Sequence, residues 1–214
     1  MNFFISDTHF GCVNKHDNRT LNTDIEIKQK WNKKVNNGDH VYILGDVARF
    51  GGNKNAERAC EIISTLKGTK HLIIGNHDSL SDARVRQLFV ECVHEKEISI
   101  SQKGNNYRLV LTHCPYLMWP NQHRGSIMLY GHLHNTDEEK IFQQSLAMLN
   151  QYFSEKELKG YKDCPPARAF NVGCMLWNNE PVTLEEILAS DEKKQKKVCK
   201  KSHDKVLLDK RFCL

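Results

Sequence analysis

The stretch "LYGHLHNT", residues 129–136, decides how this chain is read. It continues the apolar pair Ile127 and Met128, then breaks into a glycine and two histidines one residue apart. If the run is a strand, its side chains alternate between faces, so His132 and His134 point the same way. Gly131 has no Cβ to crowd the two imidazoles. Two imidazoles at a strand end suit a metal ion, but a metal needs more ligands than two. The rest of the chain must supply them.

It does so at other strand ends. Residues 2–6 read as a short buried strand that opens into Asp7 and His9. "HVYIL" (40–44) runs into Gly45-Asp46, and "HLIIG" (71–75) into Asn76, His77 and Asp78. A hairpin over 97–114 turns at Gly104-Asn105-Asn106 and ends in Thr112-His113. "ARAFNVG" and "EPVTLEEIL" close the domain. Helices are expected over 24–36, where Ile27, Trp31 and Val35 recur every fourth residue, over 55–68, and near 81–90, with a helical insertion over 138–160. Alternating strands and helices followed by consecutive strands predict a layered α/β fold with two sheets. Ligands in such sheets collect beyond the carboxyl ends of strands. Five strand ends carrying metal-binding side chains therefore point to one site.

Composition sets the frame. The chain has 214 residues, enough for one substantial domain and short for two. Hydrophobic content of 39% and a mean hydropathy of -0.59 fit a soluble protein with a charged surface. No membrane span or signal peptide is expected, which predicts a cytoplasmic protein. Eight cysteines have no C-x-x-C spacing and are expected as reduced thiols. The net charge of +5 comes from the end of the chain: residues 191–214 hold nine Lys and Arg against four Asp and Glu. The expected organisation is a domain over 1–190 and a basic tail or helix over 191–214.

In order along the chain, "DTH" (7–9), "GD" (45–46), "GNHD" (75–78), "TH" (112–113) and "GHLH" (131–134) resemble the motif set of the calcineurin-like metallophosphoesterase superfamily. "FNVG" (170–173) is similar to that family's closing strand. The resemblance implies a two-sheet β-sandwich flanked by helices in four layers. It implies two divalent metal ions, manganese first among Mn, Fe, Zn, Co and Ni. Asp7, His9, Asp46 and His134 would hold one, and Asp46 would bridge to a second completed by Asn76, His113 and His132. A hydroxide bridging the metals would attack phosphorus, since two adjacent cations acidify water and stabilise in-line displacement. His77 would protonate the leaving alkoxide, and Asp78 would orient His77.

The resemblance leaves the substrate open. "SDTHFG" with "GNHD" leans toward the phosphodiesterase and nuclease branches, so a phosphodiester or nucleotide is expected. Arg49 and Arg124 are candidate phosphate contacts, as guanidinium forks match phosphate oxygens. Tyr116 and Trp119 could line a substrate wall or pack in the core. The 138–160 insertion is the one stretch placed to cap the site. The alternatives are a nuclease that uses the basic tail and a non-catalytic scaffold of the same fold. Retention of all seven ligands and His77 disfavours the scaffold. No membrane partner is expected.

Overall fold

Apolar β-branched and aromatic runs too short for helices form the centre of the molecule. A computed structural model of the chain describes residues 1–12, 20–48, 53–155 and 164–193. It divides into two compact units, Met1–Val182 and Thr183–Leu214. The second is helical over residues 184–193. Most of the basic block lies outside the described residues.

In the first unit, β1 (Asn2–Ile5), β2 (His40–Leu44) and β3 (Thr69–Ile73) lie side by side in parallel, with Ile5 opposite Ile43 and Ile43 opposite Leu72. A short parallel strand, β4 (Glu91–Val93), extends the sheet beyond β3. Sequence reading missed it, because three half-buried residues carry no legible period. The helix expected near 81–90 shrinks to α3 (Ala83–Arg86), whose N-cap Asp82 accepts a hydrogen bond from the Arg84 N–H. Residues 87–90, which would have continued it, turn instead and lead into β4.

The second sheet has the order β5 (Glu95–Gln102), β6 (Asn105–Thr112), β7 (Ile127–Tyr130), β8 (Arg168–Asn171). β5 and β6 form the expected hairpin, but it turns at Lys103 and Gly104, with φ of 49° and 79°. Two left-handed residues in a two-residue loop match the twist of the flanking strands. β6, β7 and β8 are mutually parallel.

Alternation along the strands builds the layers. Phe3, Ile5, Val41, Ile43 and Leu72 pack against α1 (Leu21–Lys34) and α2 (Asn53–Ser64) through Ile27, Trp31, Val35, Ala59 and Ile63. Val110, Met128, Tyr130 and Ala169 pack against α4 (Asp137–Glu155) through Phe142, Leu146 and Leu149. The intervening residues, Phe4, Leu44 and Ile73 on one sheet and Leu109, Leu111 and Leu129 on the other, are fully buried as well. Helices already cover the first faces, so the second faces must cover each other. The result is the expected helix–sheet–sheet–helix sandwich.

α4 corrects one expectation. It is a layer of the fold, held along the second sheet by apolar packing and by paired hydrogen bonds between Asn150 and Ala167. Up to Glu155 it is not a cap; residues 156–160 lie outside the described residues. The sheets also join directly: the Ser6 N–H donates to the Val172 carbonyl (3.0 Å) and the Val172 N–H to that of Tyr130 (2.8 Å). This join sits at the carboxyl ends of β1 and β7.

Candidate metal centre

Five parallel strands, β1, β2, β3, β6 and β7, deliver the loops that follow them to this join. The loops after β1, β2 and β7 leave their strands through turns that L-residues seldom adopt. Asp7, His9, Asp46, His132 and His134 have φ of 56°, 41°, 51°, 69° and 50°. Left-handed backbone is costly for side chains with a Cβ, and clusters of it occur where function holds the chain in place. Five of the seven expected ligands share it.

Close contacts fix the loops. A Cβ on Gly45 (φ 85°) would stand 2.3 Å from His113 Nδ1. One on Gly131 would stand 2.5 Å from Ser6 Oγ and 2.7 Å from Asp7 Oδ2. Gly131 therefore does not spare the imidazoles, as its sequence position suggests. It lets β7 close onto the Asp7 loop, where the His132 N–H reaches both Asp7 carboxylate oxygens at 3.1 Å. Ser6 Oγ donates to Asp7 Oδ2 (2.7 Å), so Asp7 is fully buried yet well supplied with donors.

The seven expected ligands come together in two overlapping groups. In the first, His9 Nε2 and His134 Nε2 approach to 3.3 Å, and His134 Nε2 lies 3.5 Å from Asp7 Oδ1. In the second, His113 Nε2 and His132 Nδ1 each lie 2.9 Å from Asn76 Oδ1. Asp46 stands between them: its Oδ2 is 3.8 Å from His9 Nε2 and 3.5 Å from His113 Nε2. Donors of Asp7, His9 and His134 lie within 4.8 Å of one another, as do those of Asp7, Asp46 and His113. Carboxylates, imidazoles and an amide oxygen make a donor set that fits divalent transition metals.

The electrostatics favour positive charge there. Burial pushes the Asp46 carboxyl up, but His113, the His77 N–H and the His9 charge outweigh it and hold Asp46 at about 2. Burial alone would lower His113; its contacts with Asp46 and the Leu44 carbonyl raise it. His113 Nδ1 sits 2.8 Å from that carbonyl, and donation there leaves Nε2 as the coordinating atom.

His77 stands at the mouth, exposed, with its ring 5.8 Å from that of His9 and its backbone N–H on Asp46 Oδ1 (2.9 Å). Asp78 does not bond its imidazole. The Asp78 carboxylate accepts backbone N–H groups of Gly75 (2.8 Å), Asp46 (2.9 Å) and Val47 (2.9 Å). It clasps the loops after β2 and β3 together, and burial pushes it up to about 6. Asp78 thus positions Asp46, a correction to its expected partnership with His77. Arg49 lies outside the described residues. Arg124 is exposed, and its guanidinium makes no hydrogen bond or ion pair among them. Trp119 is buried against the second sheet, donating to the Ser126 carbonyl, and Tyr116 bonds Glu95. These aromatics pack.

Sequence reading missed three residues. Ser6 supports Asp7. Asn171 donates to the His134 carbonyl (3.1 Å) and to Glu139 Oε2 (3.0 Å), tying the last ligand loop to α4. Cys114 places its sulfur beside His113 and His132. A Thr-His-Cys run read as plain strand sends the Cys114 side chain away from that of His113, so the signal was hidden.

Comparison with known proteins identifies the family and the fold. The family model described as the calcineurin-like phosphoesterase superfamily domain matches residues 1–151. An uncharacterized protein of Methanocaldococcus jannaschii is 28% identical over 199 residues, covering 89% of this chain and 91% of that protein. The Gene 66 protein of Mycobacterium phage D29 is 27% identical over 156 residues, 62% of this chain and 78% of its own. A solved structure of a protein of unknown function from Aquifex aeolicus shares the fold, with a TM-score of 0.56 at 23% identity over 87% of this chain and 97% of that one.

Proposed function

The chain belongs to the calcineurin-like phosphoesterase superfamily, whose members are metal-dependent hydrolases of phosphoesters, and on that premise we propose that it cleaves a phosphodiester or nucleotide at a two-metal centre. Asp7, His9, Asp46 and His134 would hold one cation, and Asp46, Asn76, His113 and His132 the other. The observation that carries this reading is the position of Asp46 Oδ2, within 3.8 Å of a nitrogen from each group. When bound, the cations acidify water and neutralise charge that develops on the phosphoryl oxygens.

This chain's own residues do the rest. Water gives a proton to solvent as its oxygen attacks phosphorus, the P–O bond to the leaving group breaks, and the departing alkoxide takes a proton from His77 at the mouth, which solvent then replaces. Asp78 keeps the backbone of Asp46 and Gly75 in register, so the Asp46 carboxylate and the His77 loop hold a fixed separation. Manganese is the first metal to supply, as a nitrogen- and oxygen-rich site accepts it.

The test is manganese-dependent hydrolysis of a nitrophenyl phosphodiester and the matching monoester. Asp46→Ala should lose bound metal and activity together. His77→Ala should keep its metal yet slow turnover by about 10²–10⁴-fold on an alkyl leaving group, with a smaller loss on nitrophenolate. Full activity in Asp46→Ala would overturn the two-metal reading, and a uniform loss in His77→Ala across leaving groups would overturn its role as acid.

A further inference from the structure

Beside the histidines of the second group stands a thiol that the reaction above leaves unused. β6 ends at Thr112, and the chain bends at His113 and Cys114. Thr112 Oγ1 donates to the Cys114 carbonyl (3.0 Å) and holds the bend closed. Adjacent side chains of an extended strand point to opposite faces. Here they converge, and Cys114 Sγ and ring nitrogens of His113 and His132 lie within 4.8 Å of one another. The same two rings meet Asn76 Oδ1, each at 2.9 Å. Sulfur and two imidazoles thus lie within reach of one ion, and the same two rings also approach an amide oxygen. The group built on Asp7, His9 and His134 offers nitrogen and oxygen alone.

We infer that Cys114 is a thiolate ligand of the second cation, which makes the two positions chemically unequal: the sulfur-bearing one selects zinc, iron(II) or cobalt, and the other, with nitrogen and oxygen alone, also admits manganese. Thiolate is a soft donor and prefers these metals to manganese or magnesium. Coordination replaces the S–H bond by an S–metal bond, releases the proton to solvent and changes no oxidation state. The inference rests on the two-cation reading above.

Cobalt(II) added to the metal-free full-length protein separates the two ideas, because a sulfur-to-cobalt charge-transfer band reports thiolate ligation while visible d–d bands and metal analysis report occupancy. The expected result is two bound cobalt ions with the band in wild type, and two without it in Cys114→Ser. Two cobalt ions without the band, or a band that survives in Cys114→Ser, overturn the thiolate and leave the two-cation reading standing. One cobalt with a band that Cys114→Ser removes keeps the thiolate and overturns the two-cation reading. One or none without the band overturns both.

A measurement on wild type alone covers a variant that fails to fold. Cobalt should slow alkylation of Cys114, followed by peptide mass, on the order of tenfold, since the metal draws electron density from the sulfur and covers one side of its approach. Equal rates with and without cobalt overturn the proposal. In competition, Cys114→Ser should shift the zinc-to-manganese preference on the order of tenfold toward manganese; an unchanged ratio overturns the selectivity.

Discussion

Gly131 carries a role at the scale of one residue that no side chain could fill. Its α-carbon faces Ser6 and Asp7, and an added methyl would stand 2.5 Å from Ser6 Oγ. Gly131→Ala should destabilise the fold by about 1–3 kcal/mol, the usual cost of overpacking, and lower metal stoichiometry by displacing Asp7. Urea unfolding and metal analysis check both, and a stable variant with full metal would refute the close-approach argument. The His, Asp and Asn side chains at strand ends were legible in the sequence because metal-binding donors recur there after one apolar run after another. Backbone twist was not, so the left-handed Asp7 and His134 came only from structure. Nor was the aim of Asp78, as a carboxylate beside a histidine in sequence can serve three distant N–H groups instead.

Among elements, β4 shows how a short strand gains weight. Glu91 accepts from Lys96 of β5 (2.7 Å) and pairs with His71 of β3 at 2.5 Å, so one carboxylate joins the two sheets. Burial pushes Glu91 up, but Lys96 and His71 outweigh it and hold its carboxyl below the usual glutamate value. An acid whose folded value is lowered stabilises the fold above its unfolded value, near 4.5, and loses that contribution as pH falls through the folded one. Glu91→Gln should therefore cost roughly 0.5–1 kcal/mol at neutral pH, with the gap from wild type closing as pH falls. Urea midpoints across that range test it; a gap that stays constant would mean the charge is irrelevant. The long strands and the hairpin were legible from apolar runs and a glycine turn. β4 and α3 were not, since their residues are ordered by pairing partners remote in sequence. α4 was legible as a helix, but which surface it covers depends on Tyr130 and Ala169, which its own sequence does not reveal.

For the whole molecule, charge is divided between a balanced chain to residue 190 and a basic end. Removing residues 191–214 should leave nitrophenyl ester hydrolysis unchanged while weakening binding to single-stranded nucleic acid and flattening its salt dependence. Binding measured at several salt concentrations decides, and affinity that survives truncation would exclude the tail as the contact. The sandwich itself was legible, because strands buried on both faces leave few other layerings. A last consequence follows from the twisted loops at the join of the sheets. Glycine would rest more easily than Asp or His at each of those five left-handed positions, by roughly 1 kcal/mol. Asp and His at all five positions thus give up backbone ease for side-chain chemistry at the join.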